Sequence, residues 1–158
     1  MKERSAMNQW HPAVILSTWF WSGLSPKAPG TIGSLAALPF GFAITYYLGE
    51  TALLLAIVTI FCAGILSTRV YLKRTGRSDP GEVVIDEVAG QWIPLLIAGT
   101  SPLLYVLSFI LFRFFDILKP WPISWMDKNI KGATGVMVDD IAAGIFALLL
   151  LLLVKQVL

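Results

Sequence analysis

The stretch Thr51–Leu66, TALLLAIVTIFCAGIL, carries no charged side chain and no polar–apolar alternation. Without alternation it does not read as a half-buried strand, and an open sheet cannot sit in lipid, so a helix is expected. It falls short of the ~20 residues that a membrane span needs, and alone it would also fit a buried core helix. Composition weighs on the choice. Of the 158 residues, 56% are hydrophobic and 14% charged, against about 25% charged in a soluble globular chain. Mean hydropathy is +0.74. A soluble core of this size would lack the polar residues to cover it; a small, very apolar soluble helical protein is the competing reading.

Further apolar segments lie on either side, each closed by punctuation. Trp10–Leu24 holds Trp10, Trp19, Phe20 and Trp21 and reads as an interfacial helix, because Trp prefers the headgroup level. Thr31–Leu48 is apolar, with Pro39 and Gly41 as kink points. After Thr51–Leu66 comes a basic stretch, then Glu82–Ala98, the break Gly99–Pro102, and Leu103–Leu118. A mixed stretch, Trp121–Val138, precedes the closing run Asp139–Leu158. The breaks at Gly49-Glu50 and Gly99–Pro102 contain no Lys or Arg. Basic residues fall on the alternate connections: Lys2 and Arg4; Lys27; Arg69, Lys73, Arg74 and Arg77; Lys119, Lys128 and Lys131. That is the positive-inside pattern. The expected fold is an all-α, single-domain polytopic bundle over 1–158, with about five membrane helices plus an N-terminal interfacial helix. Its N-terminus is expected in the cytoplasm and its C-terminus outside, with Lys155 snorkelling to the interface.

The net charge of +2 gives no large basic field, so nucleic acid is not expected as a partner. No signal peptide is evident. Cys62 is a single cysteine in an apolar run, a core or lipid-facing residue without a disulfide partner. His11 is the only histidine, too few for a His-nucleophile lipid phosphatase, and no Arg stands six residues after Cys62 as C-x₅-R chemistry requires.

The acids carry the chemical signal. Eight of ten fall between Asp79 and Asp140, and Asp86, Glu87, Asp116, Asp139 and Asp140 are embedded in apolar sequence. An ionised carboxylate near lipid costs at least a few kcal/mol, so such residues imply pairing or a bound cation. Asp79, Pro80 and Glu82 read as a helix start, with Asp79 as N-cap; capping alone accounts for them, but not for Asp86 and Glu87 further on. Asp86 to Gly90 and Asp140 to Gly144 share one i,i+4 spacing and read as two facing helix starts. Arg113 and Asp116 meet on one helix face, as a plain ion pair or as part of a site. Asp116 lies near a helix C-terminus, where the macrodipole disfavours an anion. Lys119 suits that helix end and could also meet a phosphate. The loop Gly23–Ser34 offers free backbone N–H groups to an anion, with Lys27 and Thr31 adding a charge and a hydroxyl; a turn with an N-cap at Thr31 is the plainer reading. Carboxylates without His or Cys suit a hard, oxygen-bound cation, magnesium above zinc.

Four motifs taken in order, GLSPKAPGTIGS (Gly23–Ser34), DPGEVVIDEVAG (Asp79–Gly90), FRFFDILKPWPI (Phe112–Ile123) and GVMVDDIAAG (Gly135–Gly144), resemble those of the phosphatidylglycerophosphatase A family. The resemblance implies a magnesium-dependent, multi-pass enzyme of the bacterial inner membrane with a cytoplasmic active site. Its substrate would be a phospholipid, phosphatidylglycerophosphate, whose terminal phosphomonoester is hydrolysed to phosphatidylglycerol and phosphate. Carried over, the acidic set is Asp79, Asp86, Glu87, Asp116, Asp139 and Asp140, and the basic set Lys27, Arg113 and Lys119. Asp79, Asp86, Glu87, Asp139 and Asp140 are the expected metal ligands; Lys27, Thr31, Arg113 and Lys119 are expected to bind the phosphate. Direct attack by water and an aspartyl-phosphate intermediate both remain open, as does a non-catalytic protein with a carboxylate-lined ion pathway.

Overall fold

The structure is a computed structural model that describes residues 7–157. Lys2, Glu3 and Arg4 lie outside the described residues. Those residues form seven α-helices and no strand: α1 Pro12–Ser17, α2 Pro29–Leu48, α3 Glu50–Thr75, α4 Ile85–Ala98, α5 Pro102–Leu118, α6 Ile123–Asn129 and α7 Gly132–Lys155, with a 3₁₀ turn at Ser22–Leu24.

Three helices, α2, α3 and α7, are long and apolar enough to cross a membrane. At 14 and 17 residues, α4 and α5 are shorter, about 21 and 26 Å at 1.5 Å per residue. Large apolar side chains cover the outside of the bundle as well as filling its core. Leu55 and Val58 of α3, Val106 and Ile110 of α5 and Leu149 and Leu153 of α7 are exposed, while Ser34, Thr68, Gln91 and Ser108 are fully buried. Water would penalise that arrangement; lipid accepts it, because tails are as apolar as the side chains they meet. Cys62, on α3, is exposed.

The helix ends follow from local chemistry. Gly76, at φ +68°, donates to Leu72 and stops α3 just after Lys73 and Arg74, cations that suit a helix C-terminus. Pro102 opens α5. Helix α4 is buried almost throughout and packs against α2, α3, α5 and α7. Its tightest crossing is with α7. A Cβ on Gly90 would stand 2.5 Å from the Asp140 carbonyl oxygen, and one on Gly144 would stand 2.3 Å from the Gly90 carbonyl oxygen. The repeated Asp-x₃-Gly spacing is thus a small-residue helix crossing. At the other end of this pair, Lys155 Nζ donates to the Ile97 carbonyl oxygen at 2.8 Å, covering the open end of α4.

Several sequence expectations are corrected. The N-terminal segment is not one helix over Trp10–Leu24: α1 stops at Ser17, and Trp19, Phe20 and Trp21 all have positive φ. Asp79-Pro80-x-Glu82 does not start a helix. Glu82 instead takes the Tyr71 hydroxyl at 3.0 Å and pairs with Arg77, the Val84 N–H goes to the Ser17 carbonyl at 2.8 Å, and α4 begins only at Ile85. Thr31 is not an N-cap, because α2 begins at Pro29 after Ala28 in the left-handed region. Asp139 and Asp140 do not lie at a helix start: α7 begins at Gly132, two turns earlier, so only Asp86 and Glu87 occupy a first turn.

Candidate active site

One end of the bundle gathers the N-terminus of α4, the C-terminus of α5, helix α6 and the first turns of α7 around a cavity of about 490 Å³. Asp79, Asp86, Glu87, Asp116, Lys119, Asp139 and Asp140 all line it. Asp86, Glu87 and Asp140 each bring a carboxylate oxygen to within 4.8 Å of the others. Asp86 and Glu87 gain from the positive end of α4. Asp140 has no such help and is only 4% exposed; Gly90 and Gly144 bring its helix close enough to α4 for the three to converge. Asp86 Oδ1, Glu87 Oε2 and Asp140 Oδ2 are buried and have no hydrogen-bond partner among the described residues. Buried polar atoms are rarely left so. Three converging carboxylates, each with an unpartnered buried oxygen and none accompanied by a nitrogen or sulfur donor, fit a hard divalent cation.

A second layer surrounds this triplet. Arg113 pairs with Asp116 at 2.5 Å and approaches Glu87 at 3.9 Å. Asp116 in turn lies beside Asp140. Arg113 therefore offsets the anion at the C-terminal end of α5, and also ties α5 to the acidic cluster. The start of α2 closes over this group: a Cβ on Gly30 would sit 2.1 Å from Glu87 Oε1 and 3.2 Å from Arg113 Nη1. Only a residue without a side chain permits that approach.

Lys119 ends α5 in the left-handed region, at φ +43°, and reaches Asp139 at 2.6 Å and Asp127 at 2.8 Å. Burial alone lowers its ammonium pKa, but the bonds to Asp127 and Asp139 outweigh that and hold it above the ordinary lysine range. The same contact with Lys119 holds Asp127 below the usual carboxylate range. Asp139 thus gives Oδ2 to Lys119, while its Oδ1 is buried with no hydrogen-bond partner among the described residues; it is not one of the three acids whose oxygens lie within 4.8 Å of one another. Asp79 is at the exposed rim of the cavity. Lys27 is exposed on the loop before α2, and neither it nor Thr31 lines the cavity. Two residues escaped the sequence reading. Asp127 sits in a polar stretch with no periodicity to mark it. Gln91, fully buried with both amide atoms unpartnered among the described residues, is the lone amide in an apolar helix four residues after Glu87, which was a visible signal.

The family model described as Phosphatidylglycerophosphatase A matches residues 15–155. A phosphatidylglycerophosphatase A of Escherichia coli (strain K12) is 41% identical over 141 residues, covering 89% of this chain and 80% of that one. A phosphatidylglycerophosphatase A of Haemophilus influenzae is 35% identical over 156 residues, covering 98% and 94%. A Bacteroides thetaiotaomicron protein, whose name proposes a phosphatidylinositol-3-phosphatase, is 41% identical over 151 residues, covering 91% and 94%. No solved structure matches.

Proposed function

This chain belongs to the phosphatidylglycerophosphatase A family, and from that premise we propose that the carboxylates gathered at the ends of α4, α5 and α7 form its active site. It is a lipid phosphatase that removes the terminal phosphate of phosphatidylglycerophosphate to leave phosphatidylglycerol. The observation that carries the assignment of the site is the convergence beside an open cavity of three carboxylates, each with one buried oxygen that has no hydrogen-bond partner among the described residues.

In our reading Asp86, Glu87 and Asp140 hold magnesium, and Asp79 and Asp139 stand behind them. When bound, the ion supplies charge neutralisation at the phosphoryl oxygens and a lowered pKa for a coordinated water. The chain's own residues do the rest. Arg113 turns its guanidinium from Asp116 to the phosphate oxygens, where charge develops during transfer. Lys119 adds a second positive charge on the cavity wall. The start of α2, whose first N–H groups have no acceptor within the helix, adds its positive end beside Glu87 and Arg113, where Gly30 packs. Lys27 draws the headgroup in from the interface. A carboxylate of the cavity takes the proton of the attacking water. The water oxygen bonds to phosphorus as the phosphorus–oxygen bond to the glycerol breaks, and the carboxyl group that took the proton returns it to the leaving oxygen. Borohydride trapping during turnover, followed by mass analysis of the protein, tests this route against an aspartyl-phosphate, which is reduced to homoserine; homoserine in place of a cavity Asp would exclude direct attack.

Five crossings fit this scheme, with α4 and α5 as the short ones; α4 is shielded by its neighbours, and α5 turns an apolar face outward. The cavity then opens among Lys73, Arg74, Arg77, Lys128 and Lys131, on the cytoplasmic face of the inner membrane. An ion pathway is disfavoured because the acids gather at one end of the bundle and are not strung through its depth. Phosphate release from detergent-solubilised phosphatidylglycerophosphate, with and without magnesium, is the test. Activity that survives chelation of all divalent ions would refute the metal assignment.

A further inference from the structure

Glu87 and Gln91 are four residues apart on α4 and so share one face of it. The neighbours of Glu87 locate that face: Gly30 at the start of α2, and Arg113 on α5, 3.9 Å away. Gln91 lies on the same face one turn deeper, about 6 Å along the axis. Helix α5 reaches this depth as well, because the Phe112 ring packs against Gly90 at the distance where a Cβ would be 2.6 Å away. The Arg113 side chain therefore rises from the level of Gly90 and Gln91 toward Glu87 and Gly30.

Five polar atoms in this seam are buried and without a hydrogen-bond partner among the described residues: Gln91 Oε1 and Nε2, Arg113 Nε and Nη1, and Glu87 Oε2. They are complementary. Gln91 has one acceptor oxygen and one donor nitrogen; Arg113 Nε is a donor and Glu87 Oε2 an acceptor. A Gln–Glu pair at i,i+4 is within hydrogen-bonding reach on a helix. The plainer alternative is a stranded amide in a helix core. Gln91 is 0% exposed, and an amide held that deep with nothing to bind is unfavourable.

We infer that Gln91 is a positioning residue for the phosphatase site, its carbonyl oxygen accepting from Arg113 Nε and its amide donating to Glu87 Oε2 by way of a buried water. This rests on the reading of the site given above. The bond to Nε fixes the roll of the guanidinium while its Nη groups leave Asp116 for the phosphate. The bond to Oε2 uses one lone pair of the carboxylate and leaves the other free for a cation, the usual arrangement around a ligating side chain.

The test uses the full chain in detergent, comparing wild type, Gln91→Leu, Arg113→Lys and the double variant. Steady-state kinetics on phosphatidylglycerophosphate and the thermal midpoint in chelator without substrate are both read. Lysine has no equivalent of Nε to be held. The expected result is a fall in kcat of about tenfold or more for Gln91→Leu, with a thermal midpoint equal to or above wild type. The double variant should fall no more than threefold below Arg113→Lys alone, since coupled residues are not additive. Full activity in Gln91→Leu, multiplicative losses in the double variant, or a midpoint that falls in step with activity would each overturn the inference. A wild-type protein that releases no phosphate from any lipid phosphate would instead overturn the reading beneath it.

Discussion

Each acid at the cavity has a different reason to be there, and substitutions should separate them. Asp86, Glu87 and Asp140 repel one another across less than 4.8 Å. We predict that Asp140→Asn or Asp86→Asn lowers kcat by about a hundredfold or more, the scale of losing one group that stabilises transferring charge. In chelator the thermal midpoint of these variants should match or exceed wild type. Adding magnesium should raise the wild-type midpoint and leave theirs unmoved, because a ligand stabilises only the state that binds it. Asp139 behaves differently, since its partner is Lys119 at 2.6 Å. Lys119→Met leaves a buried carboxylate unpaired and should cost about 2 kcal/mol, less than a fully buried pair because Lys119 is partly exposed. Asp139→Asn in the same chain should restore most of that loss, as denaturation in detergent would report. The sequence exposed the acids at this scale because charges are rare in it. That Asp139 meets a lysine was hidden, because Lys119 and Asp139 are linked through α6 and a left-handed residue that no periodicity reveals.

At the scale of helices, the account rests on the crossing of α4 and α7. The i,i+4 spacing of Asp86 to Gly90 and Asp140 to Gly144 made the pairing of these segments legible in the sequence. The positions of the acids along their helices were not legible. The D-P-x-E pattern looks like a capping box, yet Tyr71 and Arg77 claim Glu82 from the side of α3 and delay the helix to Ile85. Gly132, at φ +73°, advances α7 by two turns. Both are tertiary effects that local propensity does not contain. Gly90→Ala places a methyl 2.5 Å from the Asp140 carbonyl oxygen. It should therefore cost about 1–3 kcal/mol as overpacking and depress kcat as well, since it parts Asp86 from Asp140. Gly49→Ala is the control: nothing lies within 4 Å of its Cβ position, so only its φ of +86° is strained, and kcat should hold in whatever protein folds.

For the whole molecule, exposed leucine and valine accord with a bundle in lipid, and the alternation of basic and uncharged connections is the basis of the orientation we propose. The distribution of charge was fully visible in the sequence; the shortness of α4 was masked by the acids and valines preceding it. On a Cys62→Ala background, Ser78→Cys should react with an impermeant thiol reagent only in inside-out vesicles. Thr100→Cys should react only from the outer face of intact cells. The reverse pattern would put the cavity on the wrong side for our scheme.

Phosphate release from phosphatidylglycerophosphate by the purified full chain, followed in magnesium, in chelator and in the Asp140→Asn variant, reaches the centre of the account. We predict rapid release in magnesium and release near the uncatalysed rate in the other two. Undiminished release by Asp140→Asn would contradict a site built from the converging acids of α4 and α7.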